Sequence, residues 1–326
     1  MRRSVSHFAL GSFVLGCLAL TGCQYRSKAD TYILVASNLK VPYWQTVQDG
    51  FKDAADQYKV TATVVGPQGY DPAAEVKAFQ DAVRSKPAGI LVSAGDADKI
   101  GPAIKEAIAA DIPVITVDSD APLSSRLYFI GTNNLEAGKM GGQRLVERLH
   151  GKGNVIVFSI PGQPNIEERL KGYEDAIARS PDIKIVSVVA TGGDSNSAFD
   201  TTSEAIYKTG KDKIDAFVCL ESTSGNAVGE VLKTKKITDR IVIAMDVSEE
   251  TLSLIGDGTI DSTISQKPYT MGYFGLKALD EAARSKPQEF RPSYAVDGKS
   301  PYPAFVDTGS AVITKYNLNL FQAPPK

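Results

Sequence analysis

Histidine and cysteine are scarce: the chain has 326 residues but only two histidines and three cysteines. His7 belongs to an apolar N-terminal segment and His150 stands at the polar end of a predicted helix, and no nucleophile motif accompanies either of them. This excludes a recognisable Ser-His-Asp or Cys-His site. The Cys and His spacing of zinc sites is absent, as is a Gly-rich phosphate loop. We therefore expect no catalytic residue, no metal and no cofactor.

An excess of positive charge is also missing, because 36 basic residues oppose 38 acidic ones. Without a basic patch, nucleic acid is not an expected partner. The composition, 43% hydrophobic and 23% charged, is that of an ordinary globular protein. A chain of this length is large enough to form two α/β lobes, each with its own core.

The first residues have the pattern of a cleaved signal. Arg2 and Arg3 precede an apolar segment, residues 8–20, which is too short to span a bilayer comfortably as a permanent helix. The sequence Leu-Thr-Gly-Cys, ending at Cys23, then resembles the lipoprotein signal, in which the cysteine is lipidated and becomes the new N-terminus. A plain secretory signal with a chance cysteine is the alternative.

We therefore predict a signal peptide over residues 1–22, lipidation at Cys23 and a polar tether over residues 23–30. The mature chain would be held by its lipid in the periplasm or on the extracytoplasmic face of a membrane. Loss of residues 1–22 removes two arginines and no acidic residue, which leaves 34 basic and 38 acidic residues. Cys219 would then be the remaining thiol. Because it lies in an apolar run, we interpret it as a small buried hydrophobe, and no disulfide can form within the chain.

The segment 112–120, Ile-Pro-Val-Ile-Thr-Val-Asp-Ser-Asp, is the clearest single indication of the fold. Its apolar run, residues 114–117, predicts a strand buried on both faces, and Asp118 follows at the carboxyl end of that strand. In open parallel α/β sheets, ligands bind at this edge. A further strand and turn, residues 128–134, mark the place where we expect the chain to leave one lobe for another.

Strands and helices alternate regularly on both sides of this point. Predicted strands cover residues 31–36, 61–65, 89–92, 114–117, 154–159, 183–190, 214–220, 241–245 and 262–264. Predicted helices cover residues 45–58, 72–84, 97–110, 134–149, 196–207 and 223–232; a further helix contains residues 166–173, and a short one begins at Ser248. Such alternation implies right-handed crossovers and parallel sheets with helices on both faces. The predicted fold is α/β with two Rossmann-like lobes, residues 31–132 with 267–306 and residues 133–266 with 307–326, joined by three hinge crossings.

Polar side chains stand at the ends of several predicted strands. Asp118 follows a strand of the first half, and Glu221, Asp246 and Gln266 each follow a strand of the second half. Convergence of polar residues at equivalent strand ends is the strongest local indication of one site between two lobes. Each of these residues could instead cap the helix that follows it.

Two adjacent aromatic residues, Tyr43 and Trp44, stand at the first strand-to-helix connection, at the same edge of the sheet as Asp118. The apolar C–H faces of sugars stack well on such rings, whereas sugar hydroxyls need polar partners. A hydrophobic staple at the start of the helix is the alternative for either ring alone. The two together favour the wall of a binding site.

Several segments together resemble the type 1 periplasmic binding proteins of the ribose and galactose kind, the solute receptors of ABC importers. They are Val41-Pro-Tyr-Trp44 with Asp49-Gly50, the strand from Pro113 to Asp118, Glu168-Arg-Leu-Lys-Gly-Tyr173, Ile243-Ala-Met-Asp246 and Ile264-Ser-Gln-Lys-Pro268. The resemblance covers nearly all of the mature chain. It implies the periplasmic binding protein-like I fold and a receptor that binds a monosaccharide or small polyol and delivers it to ABC permease subunits.

Carried over position by position, the resemblance implies that the two aromatic residues flank the sugar ring. Asp118 and Asp246 would accept hydrogen bonds from sugar hydroxyls, and Arg169 would donate to ligand oxygens. Gln266 would contact the ligand from a hinge crossing. Carboxylates and a guanidinium give charge-assisted hydrogen bonds, which are stronger than neutral ones. For Arg169, the alternative is a surface ion pair with a neighbouring glutamate.

The sequence departs from the ribose receptors at four positions. Val41 stands where they have asparagine, and Ser119 where they have arginine. An aromatic residue expected near Gly193 is missing, and Glu221 stands where asparagine is usual. We include Glu221 among the predicted ligand-binding residues. These changes argue against ribose itself, and the acidic pocket suits a polyol, a ligand with an amine, or a carboxylate that stays protonated.

The first functional hypothesis is therefore a lipid-anchored, monomeric receptor that works with a permease. An alternative is an extracytoplasmic sensor of the same fold, which presents a furanone-type signal or another small molecule to a histidine kinase or chemoreceptor. A third hypothesis is a glycoside hydrolase that uses paired carboxylates. A transcription repressor would share the fold, but the signal segment and the missing helix-turn-helix argue against it.

Overall fold

The computed structural model describes residues 26–285, 287, 290, 294 and 296–321. The predicted signal peptide and Cys23 lie outside these residues. Within them, no helix combines the length and the apolar character needed to cross a membrane. Two six-stranded sheets, flanked by helices, form the predicted two-lobed α/β fold.

The first lobe is built on a parallel sheet with the strand order β11-β5-β4-β3-β1-β2. Its strands are β1 (Thr31–Val35), β2 (Thr61–Val65), β3 (Gly89–Val92), β4 (Val114–Val117), β5 (Phe129–Gly131) and β11 (Phe305–Asp307). Its helices are α1 (Pro42–Tyr58), α2 (Pro72–Arg84), α3 (Ala97–Ala109) and α9 (Pro268–Arg284). Helix α1 packs against α9, and α2 packs against α3.

The second lobe has the strand order β12-β10-β9-β8-β6-β7, in which only β12, at the edge, runs antiparallel to its neighbour. Its strands are β6 (Lys152–Ser159), β7 (Asp182–Ala190), β8 (Ala216–Cys219), β9 (Ile241–Met245), β10 (Ser262–Ser265) and β12 (Ala311–Thr314). Its helices are α4 (Asn134–Leu149), α5 (Pro164–Ile177), α6 (Ser195–Ala205), α7 (Ser224–Thr234) and α8 (Glu249–Gly256).

The central strands of both sheets are buried along their whole length. Every residue of β3, β4 and β8 is buried, as expected for short apolar strands covered on both faces. Cys219, in β8, is a buried free thiol, as predicted. The apolar runs predicted as buried strands therefore lie at the centres of the two hydrophobic cores.

Three connections carry the chain between the sheets: from β5 to α4, from β10 to α9, and from β11 to β12. Because the parallel strands of both lobes end on the side of these connections, their carboxyl ends face each other. The strand-end residues that the sequence analysis selected thus lie along one cleft. The bounds of the two lobes given above stay a prediction.

Two helices differ from the prediction. Helix α1 begins at Pro42 rather than Gln45, since proline is well suited to the first helical position, so that Tyr43 and Trp44 lie in its first turn. Helix α9 was not predicted at all. It contains Gly272, where a Cβ would lie 2.0 Å from the backbone oxygen of Val47; the glycine that weakens the helical signal thus permits close packing against α1.

Candidate ligand-binding cleft

A cleft lies between the facing carboxyl edges of the two sheets. Its empty space is about 470 Å³, including its opening to solvent. Side chains from both lobes line it. Among them are all seven residues predicted to bind a ligand: Tyr43, Trp44, Asp118, Arg169, Glu221, Asp246 and Gln266.

Asp118 and Asp246 occupy equivalent places in the two lobes. Each follows a central strand, β4 or β9, and donates its backbone N–H to the next strand, to the oxygen of Ile130 at 3.1 Å or of Ile264 at 2.8 Å. Each also has a positive φ, 63° for Asp118 and 69° for Asp246. Asp tolerates this left-handed conformation better than most residues, and such backbone strain clusters at functional sites.

The carboxylate of Asp118 already accepts several hydrogen bonds within the protein. The donors are the Tyr43 hydroxyl at 2.8 Å, the Ser93 hydroxyl at 3.3 Å and the Asn165 side-chain amide at 3.2 Å. Burial raises the pKa of Asp118, whereas the Arg169 guanidinium and the two hydroxyls oppose that rise. Since Asn165 belongs to the second lobe, one of these bonds crosses the cleft.

The carboxylate of Asp246 is less occupied. Its Oδ1 accepts from the side-chain amide of Gln266 at 2.7 Å, and no donor to its Oδ2 is found among the described residues. Burial raises the pKa of Asp246 to about 6; Arg169 and Gln266 oppose the rise, and the charges of Asp118 and Glu221 add to it. Asp246 therefore keeps free acceptor capacity at the cleft.

Arg169 is only 3% exposed, which rules out the surface ion pair considered as its alternative. Its Nε donates to the Asn134 side chain at 3.0 Å, and its two terminal nitrogens donate to the Leu220 backbone oxygen and to Gln266 Oε1, both at 2.9 Å. Gln266 Oε1 also accepts from the hydroxyl of Thr132 at 2.7 Å, and Thr132 lies in the connection from β5 to α4. Among the described residues that line the cavity, Arg169 is the only cation.

Tyr43 and Trp44 meet edge to face, with ring centroids 5.6 Å apart. Trp44 is 4% exposed and belongs to the first-lobe core, yet it also lines the cavity, so packing and wall formation are combined in one ring. Burial, together with the negative charges of Asp118 and Asp246, raises the pKa of Tyr43 well above its usual value. Its hydroxyl therefore remains a donor.

Glu221 borders the cavity, but both of its carboxylate oxygens are engaged. They accept from the backbone N–H of Thr223 at 2.6 Å, from the backbone N–H of Ser224 at 3.1 Å and from both hydroxyls of these residues. Glu221 thus caps the start of α7, the alternative noted for strand-end polar residues. Although carboxylates surround the cleft, no group of three or more His, Cys, Asp or Glu side chains in the described residues is arranged to hold a metal ion.

Several cavity-lining residues were not predicted from the sequence, among them Asn38, Tyr70 and Asn165. Asn165 is 3% exposed, and its Oδ1 has no hydrogen-bond partner among the described residues. It precedes Arg169 by one helical turn on α5, so the i, i+4 spacing could have identified it. Tyr70 and Asn38 lie in connections of the first lobe, where no periodic pattern marks them.

Comparison with known proteins agrees with this architecture. A profile described as the periplasmic binding protein domain matches residues 32–287. The ribose import binding protein of Escherichia coli K12 is 26% identical over 271 residues, which cover 83% of this chain and 90% of that protein. The xylose/arabinose-binding protein of Sulfolobus acidocaldarius is 25% identical over 294 residues, 85% of this chain and 69% of that protein.

A solved structure gives the same result. The solute-binding protein of an ABC transporter from Burkholderia graminis, in complex with D-arabinose, has a TM-score of 0.80 and 27% sequence identity, and the match covers 89% of this chain and 97% of that one. The predicted fold and the resemblance inferred from the sequence motifs are thus confirmed. Since the family profile spans nearly the whole of both lobes, this chain belongs to the periplasmic binding protein family.

Proposed function

We propose that this protein is the sugar-binding receptor of an ABC importer and that it encloses a monosaccharide or small polyol between its lobes. One observation carries the proposal: two aromatic rings and a set of buried carboxylate, amide and guanidinium groups line the same cleft. A sugar has apolar C–H faces and hydroxyl groups that both donate and accept, so it needs both kinds of partner. The family consists of binding proteins, and we propose no reaction on the ligand.

The two sides of the ligand would meet different groups. We assign its apolar face to Trp44 and Tyr43, and a hydroxyl donor to the free oxygen of Asp246. A guanidinium has five N–H donors, of which Arg169 uses three within the protein, so two remain for ligand oxygens. The unpartnered Oδ1 of Asn165 would accept from a second hydroxyl.

We further propose that the ligand is neutral. The negative charge of Glu221 faces the N-terminus of α7, where the helix dipole stabilises it, so Glu221 does not call for a positively charged ligand. We propose that Glu221 supports the site indirectly, by holding the start of α7. The two strand-end carboxylates, Asp118 and Asp246, both feel the charge of Arg169. Gln266 would contact the ligand while it joins Asp246 to Arg169.

We place the first lobe at residues 31–132 with 267–306 and the second lobe at residues 133–266 with 307–326. Closure would occur by rotation of the lobes about the three connections between them. The bond from Asn165 to Asp118 links the facing walls at the cleft itself. A closed receptor would bury the ligand hydroxyls and offer the permease a surface formed by both lobes. We propose that the receptor acts as a monomer.

A lipid anchor at Cys23 is part of the proposal. The basic, apolar and Leu-Thr-Gly-Cys regions of residues 1–23 support it. Only a few residues later, Arg26 donates to the buried carboxylate of Asp280 at 2.8 Å. A Cys23→Ser variant should move from the membrane fraction to the soluble extracytoplasmic fraction. Membrane association that survives this change would contradict the lipoprotein assignment.

A thermal-shift screen tests the ligand class. The mature chain would be heated with pentoses, hexoses, polyols, amino sugars and furanone signals. A ligand that binds only the folded state at a hundredfold excess over its Kd stabilises the protein by about 2.7 kcal/mol and raises the Tm. We expect a clear shift with a neutral sugar or polyol. A response confined to amino sugars or furanones would contradict the proposed ligand.

A further inference from the structure

The second lobe has no side chain at one point of the cleft wall. Gly193, which follows β7, has a φ of +76° and lines the cavity. A Cβ at this position would lie 3.3 Å from the Asn38 side-chain nitrogen, 3.5 Å from Tyr70 Cβ and 3.8 Å from Ile160 Cδ1. Asn38 and Tyr70 belong to the first lobe. The space in front of Gly193 is therefore occupied from the opposite side of the cleft.

Tyr70 connects the two lobes. It lies between β2 and α2 of the first lobe, yet it packs against the buried apolar cluster of the second lobe that contains Ile160. It also lines the ligand cavity. Its hydroxyl donates to the backbone oxygen of Gly95 at 2.7 Å, which holds the ring on the first lobe while the ring contacts the second.

A buried carboxyl group fixes the partner of this hydroxyl. Glu75, in the first turn of α2, is 1% exposed, and its Oε2 accepts from the backbone N–H of Gly95 at 3.0 Å. A Cβ at position 95 would lie 2.4 Å from Glu75 Oε2 and 3.5 Å from the Tyr70 ring. A side chain at position 95 would therefore displace the Glu75 carboxyl group from its bond to the Gly95 N–H. Glu75 is thus a positioning residue for the loop that holds Tyr70.

We propose that Tyr70 is a ligand-contacting residue and the apolar contact that seals the cleft when the lobes close. Because Gly193 has no side chain, the second lobe offers no aromatic ring at this point, and the ring of Tyr70 lies there instead, on the first lobe. The ligand-contacting part of this inference rests on the proposed function. All the aromatic rings that line the cavity, those of Tyr43, Trp44 and Tyr70, then belong to the first lobe within the described residues. The ligand would settle first on this aromatic platform, and the second lobe would close over it with polar groups.

Titrations with D-arabinose, D-xylose and D-ribose test the contact in the mature chain. For each sugar that the wild type binds, Tyr70→Ala should raise the Kd by about tenfold or more, because an aromatic surface and the packing against the second-lobe cluster are both lost. Tyr70→Phe keeps the ring and should change the Kd by only about threefold or less. The matched control is Tyr207→Ala, since Tyr207 lies in the second lobe and is 68% exposed. It should bind as the wild type does.

If Tyr70→Ala does not fold, Tyr70→Leu replaces it, because leucine keeps an apolar contact but offers no aromatic face. A wild-type Kd in the variant that folds would overturn the ligand contact, even if the Tm fell. Small-angle X-ray scattering with and without a saturating sugar concentration tests the closing contact separately. The sugar should reduce the radius of gyration of the wild type more than that of Tyr70→Ala, and equal reductions would overturn the closing contact. If the wild type binds none of the three sugars, a hexose or polyol that raises its Tm takes their place. If no sugar or polyol does so, the inference falls with the proposed function, whereas equal binding by the wild type and Tyr70→Ala overturns the inference alone.

Discussion

The two halves of the cleft share a backbone plan and differ in their side chains. In each lobe an aspartate with positive φ follows a central strand and donates its N–H to the neighbouring strand. In the first lobe, Asp118 is held by three side-chain donors and adjoins Tyr43 and Trp44. In the second lobe, Asp246 has one side-chain donor, Gln266, and lies among polar groups. The first half is a preformed platform, whereas the second half keeps free hydrogen-bonding capacity.

This difference shows that equivalent positions need not have equivalent functions. A carboxylate whose oxygens are already bonded contributes rigidity and shape, and a ligand gains little by competing for it. A carboxylate with an open oxygen in a buried place gains more from a new donor, because an unpaired buried acceptor is costly. Apart from Arg169, whose charge acts on both aspartates, we therefore expect substitutions in the first half to change stability as well as affinity, and those in the second half to change mainly affinity.

The largest effect should follow removal of the cation that both halves share. Arg169→Ala leaves two aspartates without their common counter-charge and leaves the Leu220 oxygen without its donor. Loss of one partner from a buried charged set costs about 3–5 kcal/mol. Urea denaturation should show a loss of this size, and calorimetric titration should show no sugar binding at concentrations that saturate the wild type.

Arg179→Ala provides the matched control for this experiment, because Arg179 is an exposed arginine just after the same helix. It should leave both the free energy of unfolding and the Kd unchanged. Normal sugar binding by Arg169→Ala would show that the two halves do not depend on a shared cation, and the assignment of Arg169 to the ligand would be wrong.

Exchanging each aspartate for asparagine tests the difference between the halves directly. In Asp118→Asn, the new NH₂ group faces donors and cannot accept from them, so we expect a loss of about 1–3 kcal/mol in the free energy of unfolding. In Asp246→Asn, only the bond from Gln266 is at stake, and a partly buried negative charge is removed at the same time. This variant should keep its stability at pH 8 and lose sugar affinity. Equal losses of stability would contradict the proposed division.

A comparison of the wild type with Asp246→Asn at different pH values should separate the effect of Asp246 on ligand affinity from its effect on stability. The pKa of Asp246 is about 6 in the folded protein, above the value of about 3.9 expected in an unfolded chain. Between these values the folded state binds more protons, so this residue lowers the free energy of unfolding as pH rises from about 4 to about 6. A ligand hydroxyl needs the ionised carboxylate, so affinity should increase as pH rises through about 6, in the opposite direction.

Both comparisons should be made as differences between the wild type and Asp246→Asn. This is necessary because Glu75, whose pKa burial raises to about 8, adds a pH dependence of its own to stability. The variant should bind with a flatter pH profile than the wild type between pH 5 and pH 7. If the affinity of both proteins fell equally as the pH was lowered from 7 to 5, the group whose titration controls binding would be one other than Asp246.

Much of this arrangement could be predicted because local patterns specify it. Short apolar runs that end in a polar residue identify buried parallel strands, and those strands end at one edge of the sheet, so the sequence alone places Asp118 and Asp246 at the cleft. The start of the predicted helix 72–84 also agrees with α2, which Asp71 caps by accepting from the backbone N–H groups of Ala73 and Ala74. The position of Arg169 at the cleft depended in addition on the family resemblance.

The remaining features depend on partners distant in sequence. Asp120 follows Asp118 by two residues, but Arg126 and the Thr116 hydroxyl bind it, and it does not line the main cavity. No local pattern separates these two carboxylates. Glu221 likewise turned toward the helix that it precedes. Tyr70 lies beside Gly193, more than a hundred residues later in the chain, where a Cβ would be 3.5 Å from Tyr70 Cβ.

The smallest effect that would sharpen the comparison is that of one hydroxyl. Tyr43→Phe removes the donor at 2.8 Å from Asp118 Oδ1 and keeps the ring at the cavity wall. We expect a loss of about 0.5–1.5 kcal/mol in the free energy of unfolding and a smaller change in affinity. The matched control is Tyr269→Phe, because the Tyr269 hydroxyl donates to Asp53 at 2.8 Å on the exposed surface and should contribute less to stability.

A double-mutant cycle tests whether the bond itself is responsible. Tyr43→Phe and Asp118→Asn should be non-additive, since they remove the same bond. Additive losses would mean that the first half is not held together through Asp118, and the platform would then rest on the packing of its rings alone.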